Sequence, residues 1–226
     1  MALEVAALIP ALNCESTISA VVRGVSAHVA KVLVVDDGSG DRTAERAVEA
    51  GAEAFSQPRN LGKGAALRKG IELLGQGGAT HVLTVDGDGQ HLPEEIPAMV
   101  RAAAQEPHAL ILGARQIEGD ITPMRAFGNR FANRWVEIAC GQALPDTQSG
   151  FRVYPVRETI ALACKADRFA YETEVLIRAA RAGLTLRSVP VRVYNPPVDV
   201  RVSHFRPVVD TVRIIFVVLG LIFRVW

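Results

Sequence analysis

The chain has 226 residues, 49% of them hydrophobic and 22% charged, so it is long enough for one sizeable α/β core and too apolar to be a disordered segment. Its formal net charge of +1 gives no global attraction for polyanions, which argues against nucleic acid as a partner and leaves any anionic ligand to locally placed Arg and Lys. Three cysteines, Cys14, Cys140 and Cys164, stand far apart without metal-type pairing and read as reduced structural thiols of a cytoplasmic protein.

In chain order, the first residues show no basic region followed by an apolar core and cleavage site, and Glu4 interrupts the first apolar run; no secretory signal is expected, and any activity is placed on the cytoplasmic side. Short β-branched runs at 5–9, 31–35, 52–56, 81–85 and 109–112 alternate with helical patterns, the signature of parallel strands joined by crossover helices. Their nearly continuous apolar character suits strands covered on both faces. Ser16 or Thr17 is expected to cap a helix reaching about His28, Asp41 a helix stopping before Gly51, and Pro93 with Glu94 opens another. Residues 124–139 read as a helix carrying Arg125, Arg130, Asn133 and Arg134, leading into a further segment at 146–154.

The stretch 214–223 is uncharged but holds about half of the roughly 20 apolar residues that a bilayer span requires. Flanked by Arg213, Arg224 and Trp226, it is expected to lie as an amphipathic helix in a lipid interface, the alternative being a core or dimer helix. The chain therefore divides into a catalytic domain at 1–205 and an apolar helix at 206–226.

Two strand ends carry the candidate chemistry. Val82-Leu83-Thr84-Val85-Asp86-Gly87-Asp88-Gly89-Gln90-His91 delivers two carboxylates and an amide into a glycine-rich turn. Hard cations such as Mg2+ or Mn2+ take oxygen ligands, and one or two carboxylates plus substrate phosphates can complete such a shell. By itself an Asp-Gly pair after a strand is also a turn signal. A second acidic strand end, Val34-Val35-Asp36-Asp37-Gly38-Ser39 with Asp41 and Thr43, strengthens the ligand reading, because in open α/β sheets both groups fall on the rim where ligands bind. Lys63, in a glycine-flanked loop before a helical run, suits a position near phosphate, although Gly64 stands where a P-loop requires Ser or Thr.

Pro10-Ala11-Leu12-Asn13, Asp36-Asp37-Gly38-Ser39, Asn60-Leu61-Gly62-Lys63-Gly64, Asp86-Gly87-Asp88-Gly89-Gln90-His91 and Gln148-Ser149-Gly150-Phe151-Arg152 together resemble family 2 glycosyltransferases, in the dolichyl-phosphate or polyprenyl-phosphate sugar transferase branch. The resemblance covers nearly the whole chain. It implies an α/β fold of GT-A type, with a mostly parallel central sheet and flanking helices. It also implies a nucleotide-sugar donor site, with Pro10, Leu12, Val35 and Asp37 at the nucleoside and Lys63, Asp86, Gly87, Arg115 and Arg201 at the diphosphate or sugar. Asp86, Asp88 and Gln90 would address the Mg2+ or Mn2+ ion.

On the acceptor side the resemblance places Arg130, Gln148 and Ser149, with Asp146, Arg152 and Arg115 as catalytic candidates. Asp146 could be the general base for a hydroxyl acceptor. A lipid phosphate arrives already ionised and needs no base, in which case Asp146 orients Arg152 or another group and Arg115, Arg130 or Arg152 grips phosphate. The chain departs from the family pattern at Cys14, where Glu is common and Glu15 is the nearest substitute, and at His204, where Lys is common. Arg201 or Arg206 then neutralises the leaving diphosphate.

The leading expectation is inverting, cation-dependent transfer from a GDP-mannose or UDP-glucose type donor to a polyprenyl phosphate at the membrane surface. The rivals are a soluble transferase acting on a hydroxyl of a glycan or glycolipid, a nucleotidyltransferase, and a non-catalytic nucleotide-sugar-binding membrane protein. The nucleotidyltransferase fits poorly, because Pro10-Ala11-Leu12-Asn13 stands where a glycine-rich phosphate turn would follow the first strand.

Overall fold

A computed structural model describes residues 3–116 and 133–194, together with residues 215, 217, 218, 220 and 221. The first four strands, β1 (Val5–Ala11), β2 (Lys31–Asp36), β3 (Glu53–Ser56) and β4 (His81–Thr84), are those expected from the apolar runs. They pair in parallel, joined by helices α1 (Ile18–Ser26), α2 (Thr43–Glu49) and α3 (Lys63–Gln76). A short 3-10 turn (Pro93–Glu95) and α4 (Ile96–Gln105) lead into β5 (Leu110–Gln116). The chain continues through β6 (Arg152–Pro155), α5 (Val156–Ala161), α6 (Ala170–Arg181) and β7 (Leu186–Arg192).

The seven strands form one sheet in the order β3-β2-β1-β4-β6-β5-β7. Only β6 runs antiparallel to its neighbours β4 and β5, while β7 pairs in parallel with β5. From β1 the chain proceeds to β2 on one side, whereas β4 lies on the other. The strand order therefore switches between β1 and β4, and a crevice opens beyond their carboxyl ends.

Alternation along each strand builds the two halves of the core. Leu8, Leu33 and Val35 face α3 and α6, packing on Leu67, Ile71 and Leu176, while Ile9, Val32 and Val34 face the opposite layer of Ile18, Val22 and Met99. Val218 and Leu221 join the first layer, and Arg181 Nη1 donates to the Leu221 carbonyl at 2.6 Å. Most of the 206–226 segment, and most of the helix expected over 124–139, lies outside the described residues, although 133–140 is helical. Among the described residues no helix is long and apolar enough to cross a membrane.

Strand ends shift where pairing, not composition, decides them. β1 runs on through Pro10 and Ala11 because Pro10 and Ala11 still pair with Val35 and Asp36, and the Ala11 carbonyl accepts the Asp37 amide at 2.8 Å. β5 extends to Gln116 because β7 offers a partner for every residue of it. The expected cap roles also shift. Thr17 precedes α1 but donates its hydroxyl to the Gly87 carbonyl at 2.6 Å, tying the helix to the metal-type turn, while Asp41 accepts the Thr43 amide at 3.0 Å at the start of α2.

Candidate functional site

The crevice at the switch point is a pocket walled by Pro10, Ala11 and Leu12 from the end of β1, Asp37 from β2, Asn60, Gly62 and Lys63 before and within α3, and Asp86, Gly87 and Asp88 after β4. Four of the five sequence motifs thus converge on one cavity, although Pro10 and Asp88 stand 78 positions apart in the chain. Val35 does not take part. It is fully buried, pointing into the core beneath α3, so its expected contact with a nucleoside is corrected to a packing role. The strand period sends Val35 to one face, while the residues that follow β2 emerge on the rim.

Asp37 is buried and organises the loop before α3. Its Oδ1 accepts from Gln57 Nε2 at 2.8 Å and from the Leu61 amide at 2.7 Å, and its Oδ2 accepts from the Gly62 amide at 2.8 Å. Burial raises its pKa and outweighs those donors. One lone pair of Oδ2 remains to accept a further N–H at the pocket wall. Gly62 is required here: its φ is +95°, and a Cβ would stand 2.5 Å from Arg168 Cγ.

The loop delivers Lys63 to the centre of the site, at the first turn of α3. Its ammonium lies 2.7 Å from Asp86 Oδ1 and 3.2 Å from Glu172 Oε2. Burial opposes ionisation of Asp86, but Lys63 outweighs it and holds the carboxyl below the ordinary range. Asp88 moves the other way, raised by burial and by the charge of Asp86. Gln90 steadies Asp88, its backbone and side-chain amides donating to the two carboxylate oxygens at 3.0 and 2.7 Å and leaving Gln90 Oε1 for a ligand. His91, stacked 5.0 Å from Phe151, accepts the Asp86 amide on Nδ1 at 3.1 Å, and burial lowers its pKa, so the turn is pinned by a neutral ring.

This donor set fits a divalent cation that arrives with its substrate. Among the described residues no three His, Cys, Asp or Glu side chains are grouped to hold a metal by themselves. Two carboxylates and one amide oxygen are part of a hard-cation shell, and substrate phosphate oxygens are the natural complement.

On the other side of Asp86, Arg115 and Asp146 form a bidentate pair. Arg115 Nε donates to Asp146 Oδ2 at 2.6 Å and Nη2 to Oδ1 at 3.1 Å, with the Arg115 amide at 3.3 Å from Oδ2. Burial works against the charge of Asp146, yet Arg115 keeps its pKa below the ordinary value. Both oxygens of Asp146 are engaged, Oδ1 also accepting the Gln148 amide at 3.0 Å, an arrangement that suits an orienting carboxylate better than a general base. Its structural task is to orient Arg115.

Arg152 is corrected likewise. It is fully buried, and its guanidinium is spent on three main-chain carbonyls, those of Ser149 at 2.8 Å, Glu172 at 2.8 Å and Thr147 at 2.9 Å. It shapes the 147–152 turn from within and grips no acceptor. Ser149 is also buried, its hydroxyl accepting the Phe151 amide at 3.3 Å, so it too is framework. Gln148 is half-buried, and its Nε2 donates to Thr147 Oγ1 at 3.0 Å. Glu15 does not stand in for the missing glutamate: its carboxylate accepts the Arg42 amide at 3.3 Å outside the pocket, and Cys14 lines the wall instead. Burial and nearby carboxylates push the Cys14 thiol up to about 11, which makes it an inert filler. Arg130, Arg201, His204 and Arg206 lie outside the described residues.

Three participants had no signal in the sequence. Arg168 and Phe169 complete the pocket wall from the turn before α6, and Glu172 reaches Lys63 from the first turn of that helix. Read locally, Tyr171-Glu172-Thr173-Glu174 looks like the acidic start of a solvated helix; only the packing of α6 against α3 buries it.

Residues 6–157 match the family model described as Glycosyl transferase family 2. An uncharacterized protein of Methanocaldococcus jannaschii, MJ1222, is 30% identical over 84% of this chain and 81% of its own length. The glycosyltransferase AglJ of Haloferax volcanii is 33% identical over 74% of this chain, which spans 55% of that relative. A UDP-N-acetylglucosamine–dolichyl-phosphate N-acetylglucosaminyltransferase of Methanococcus voltae is 26% identical over 82% of this chain and 83% of its own. Among solved structures, glucosyl-3-phosphoglycerate synthase of Mycobacterium tuberculosis, in complex with Mn2+, UDP and its product, superposes with a TM-score of 0.75 at 22% identity, covering 96% of this chain and 79% of that one.

Proposed function

The chain belongs to glycosyl transferase family 2 and is a glycosyltransferase of GT-A type, and we propose that it transfers a sugar from a nucleoside diphosphate to a polyprenyl-phosphate acceptor, with inversion at the anomeric carbon. The observation that carries this reading is the Arg115–Asp146 pair. With both oxygens of Asp146 occupied at 2.6 and 3.1 Å, the residue best placed to deprotonate a hydroxyl is unfit for it, which suits an acceptor oxygen that arrives ionised. Relatives named for dolichyl-phosphate and undecaprenyl-phosphate acceptors support the same class.

In this reading Pro10, Leu12 and Asp37 hold the nucleoside, and Lys63 and the Gly87 backbone sit beside the diphosphate, with Arg201 as a further cation. A divalent ion held by Asp86, Asp88 and Gln90 would neutralise charge on the diphosphate as it departs. Arg115, aimed by Asp146, contacts the sugar or phosphate oxygens, and Arg130 and Gln148 receive the acceptor. The acceptor phosphate oxygen bonds to the anomeric carbon as the bond to the donor phosphate breaks, so no proton need be moved. The lipid acceptor places the work at the cytoplasmic face of a membrane, with residues 206–226 lying against it; Ile215, 37% exposed beside buried Val218 and Leu221, offers an outward apolar side chain.

The test crosses UDP-glucose and GDP-mannose type donors with a polyprenyl phosphate and with simple alcohols, in the presence of Mg2+ or Mn2+. Label is expected in a polyprenyl-phosphate sugar of inverted configuration. Transfer to hydroxyl acceptors alone overturns the acceptor assignment.

A further inference from the structure

Glu172 is buried, and its two carboxylate oxygens live in different circumstances. Oε2 faces Lys63 Nζ at 3.2 Å, while Oε1 is buried with no hydrogen-bond partner. Two residues further along α6, Glu174 shows what a purely structural buried glutamate looks like here. It accepts the Lys165 and Ala166 amides at 2.8 and 2.6 Å and Arg178 Nε at 2.6 Å, so both its oxygens are engaged within the framework. Glu172 has no such set, and its charge is compensated at short range by Lys63, a residue that also belongs to the pocket.

Lys63 in turn is divided between two carboxylates of different standing. Asp86, at 2.7 Å, opens on the pocket and is a candidate cation ligand; Glu172 sits behind it. The seat is confined, leaving the Lys63 side chain 15% exposed where it lines the pocket. A Cβ on Gly150 would fall 2.6 Å from Lys63 Nζ and 2.7 Å from Asp86 Oδ2, and the Phe169 ring lies 5.8 Å below the ammonium. The walls are fixed from outside: Thr84 Oγ1 donates to the Gly150 carbonyl at 2.7 Å, and Arg152 Nη1 to the Glu172 carbonyl at 2.8 Å.

We infer that Glu172 is a positioning residue that takes over Lys63 when Asp86 turns to a divalent cation, so that Lys63 yields the cation site yet stays charged and seated beside the donor diphosphate. The physical reason is competition. An ammonium and a divalent cation cannot share Asp86 Oδ1, and a lysine with Asp86 as its sole partner resists displacement. A second carboxylate within reach lowers the cost of letting go, and the enclosed seat prevents the side chain from leaving for solvent. This inference rests on the proposed donor site and concerns binding before any acceptor is involved.

The test is the Mn2+ concentration at the midpoint of UDP or GDP binding, measured by calorimetry and by the electron paramagnetic resonance of bound Mn2+, with no acceptor present. Glu172→Gln should raise the midpoint about 5- to 10-fold, and the shift should vanish in a Lys63→Met background, since Glu172 acts through Lys63. A loss of negative charge acting at a distance would persist in that background, and its persistence overturns the inference. An unchanged midpoint in Glu172→Gln does the same, as does a wild-type protein that binds neither nucleotide with Mn2+, which removes the donor site as well. Should Glu172→Gln alone not fold, Glu172→Asp carries the test: its shorter reach should move the midpoint in the same direction by about 2- to 3-fold, and no movement overturns the inference.

Discussion

Arg115 and Asp146, 31 positions apart in sequence, meet edge to edge in a bidentate ion pair at 2.6 and 3.1 Å, with side chains only 20% and 12% exposed. The pair turns two separate catalytic candidates into one unit: a carboxylate that aims a guanidinium. Residues that act as a unit are non-additive. Arg115→Ala and Asp146→Ala should each slow transfer by about 100-fold, and the double variant should be no worse than the slower single one. Initial rates at saturating donor check this, and additive losses would mean that each residue works independently.

Gly150 lies tight against the Lys63–Asp86 pair. Gly150→Ala places a methyl group 2.6 Å from Lys63 Nζ and 2.7 Å from Asp86 Oδ2, forcing the pair apart. The expected result is a roughly 10-fold or greater loss of nucleoside diphosphate affinity, the size that overpacking by one methyl group can impose. Calorimetric titration measures it.

Arg152 should behave as framework. Arg152→Met leaves the carbonyls of Thr147, Ser149 and Glu172 without their donor in a fully buried place, at a cost of roughly 3–5 kcal/mol in unfolding free energy. Urea denaturation reads this directly. A variant of unchanged stability but lost activity would return Arg152 to the acceptor.

Cation dependence is a separate prediction. Chelation should abolish transfer and added Mg2+ or Mn2+ restore it, while Asp88→Asn should bind UDP or GDP with little response to Mn2+ at a wild-type melting temperature. Activity indifferent to chelator would remove Asp86, Asp88 and Gln90 from the role given to them.

Stability should fall in mild acid through His81. The ring is 4% exposed, bonded through Nε2 to the Pro107 carbonyl at 2.8 Å, and burial pulls its pKa below the ordinary 6.5. The unfolded chain therefore binds the proton more readily. The contribution is fully present above pH 6.5 and is lost as pH falls toward the folded-state value, with a slope of at most about 1.4 kcal/mol per pH unit. Unfolding free energies between pH 7.5 and 5.5 should decline less steeply in His81→Gln than in the wild type.

Much of the framework could be read from local pattern. The apolar runs that became β1, β2, β4 and β5 are continuous because both faces of those strands are covered, and that continuity survives in one dimension; β3, at the sheet edge and largely exposed, departs from that expectation. β6 and β7 were less legible: β6 holds Arg152 and Pro155 in four residues, and β7 carries Pro190, tolerated because β7 lies at the sheet edge. The acidic strand ends announced a rim site because the rule linking strand ends to ligands depends only on chain direction.

What sequence could not supply was how each side chain spends its hydrogen bonds. Asp37, Asp146, Ser149 and Arg152 all have residue types fit for touching substrate, and folding decided otherwise for Ser149 and Arg152 by burying them against main-chain partners. Val35 went to the core by strand parity alone. Glu172 went the opposite way, from a helix start without any site signal to the pocket lysine, because the packing of α6 against α3 carries its carboxylate to Lys63.

The sequence by itself therefore determined the alternation of strands and helices and the carboxylates on the rim, since both depend on residue order and period. Tertiary structure alone decided which of those groups remain available. A carboxylate or guanidinium buried in a low-dielectric interior must be satisfied by whatever the fold brings near it, and that neighbour is set by contacts between segments far apart in the chain.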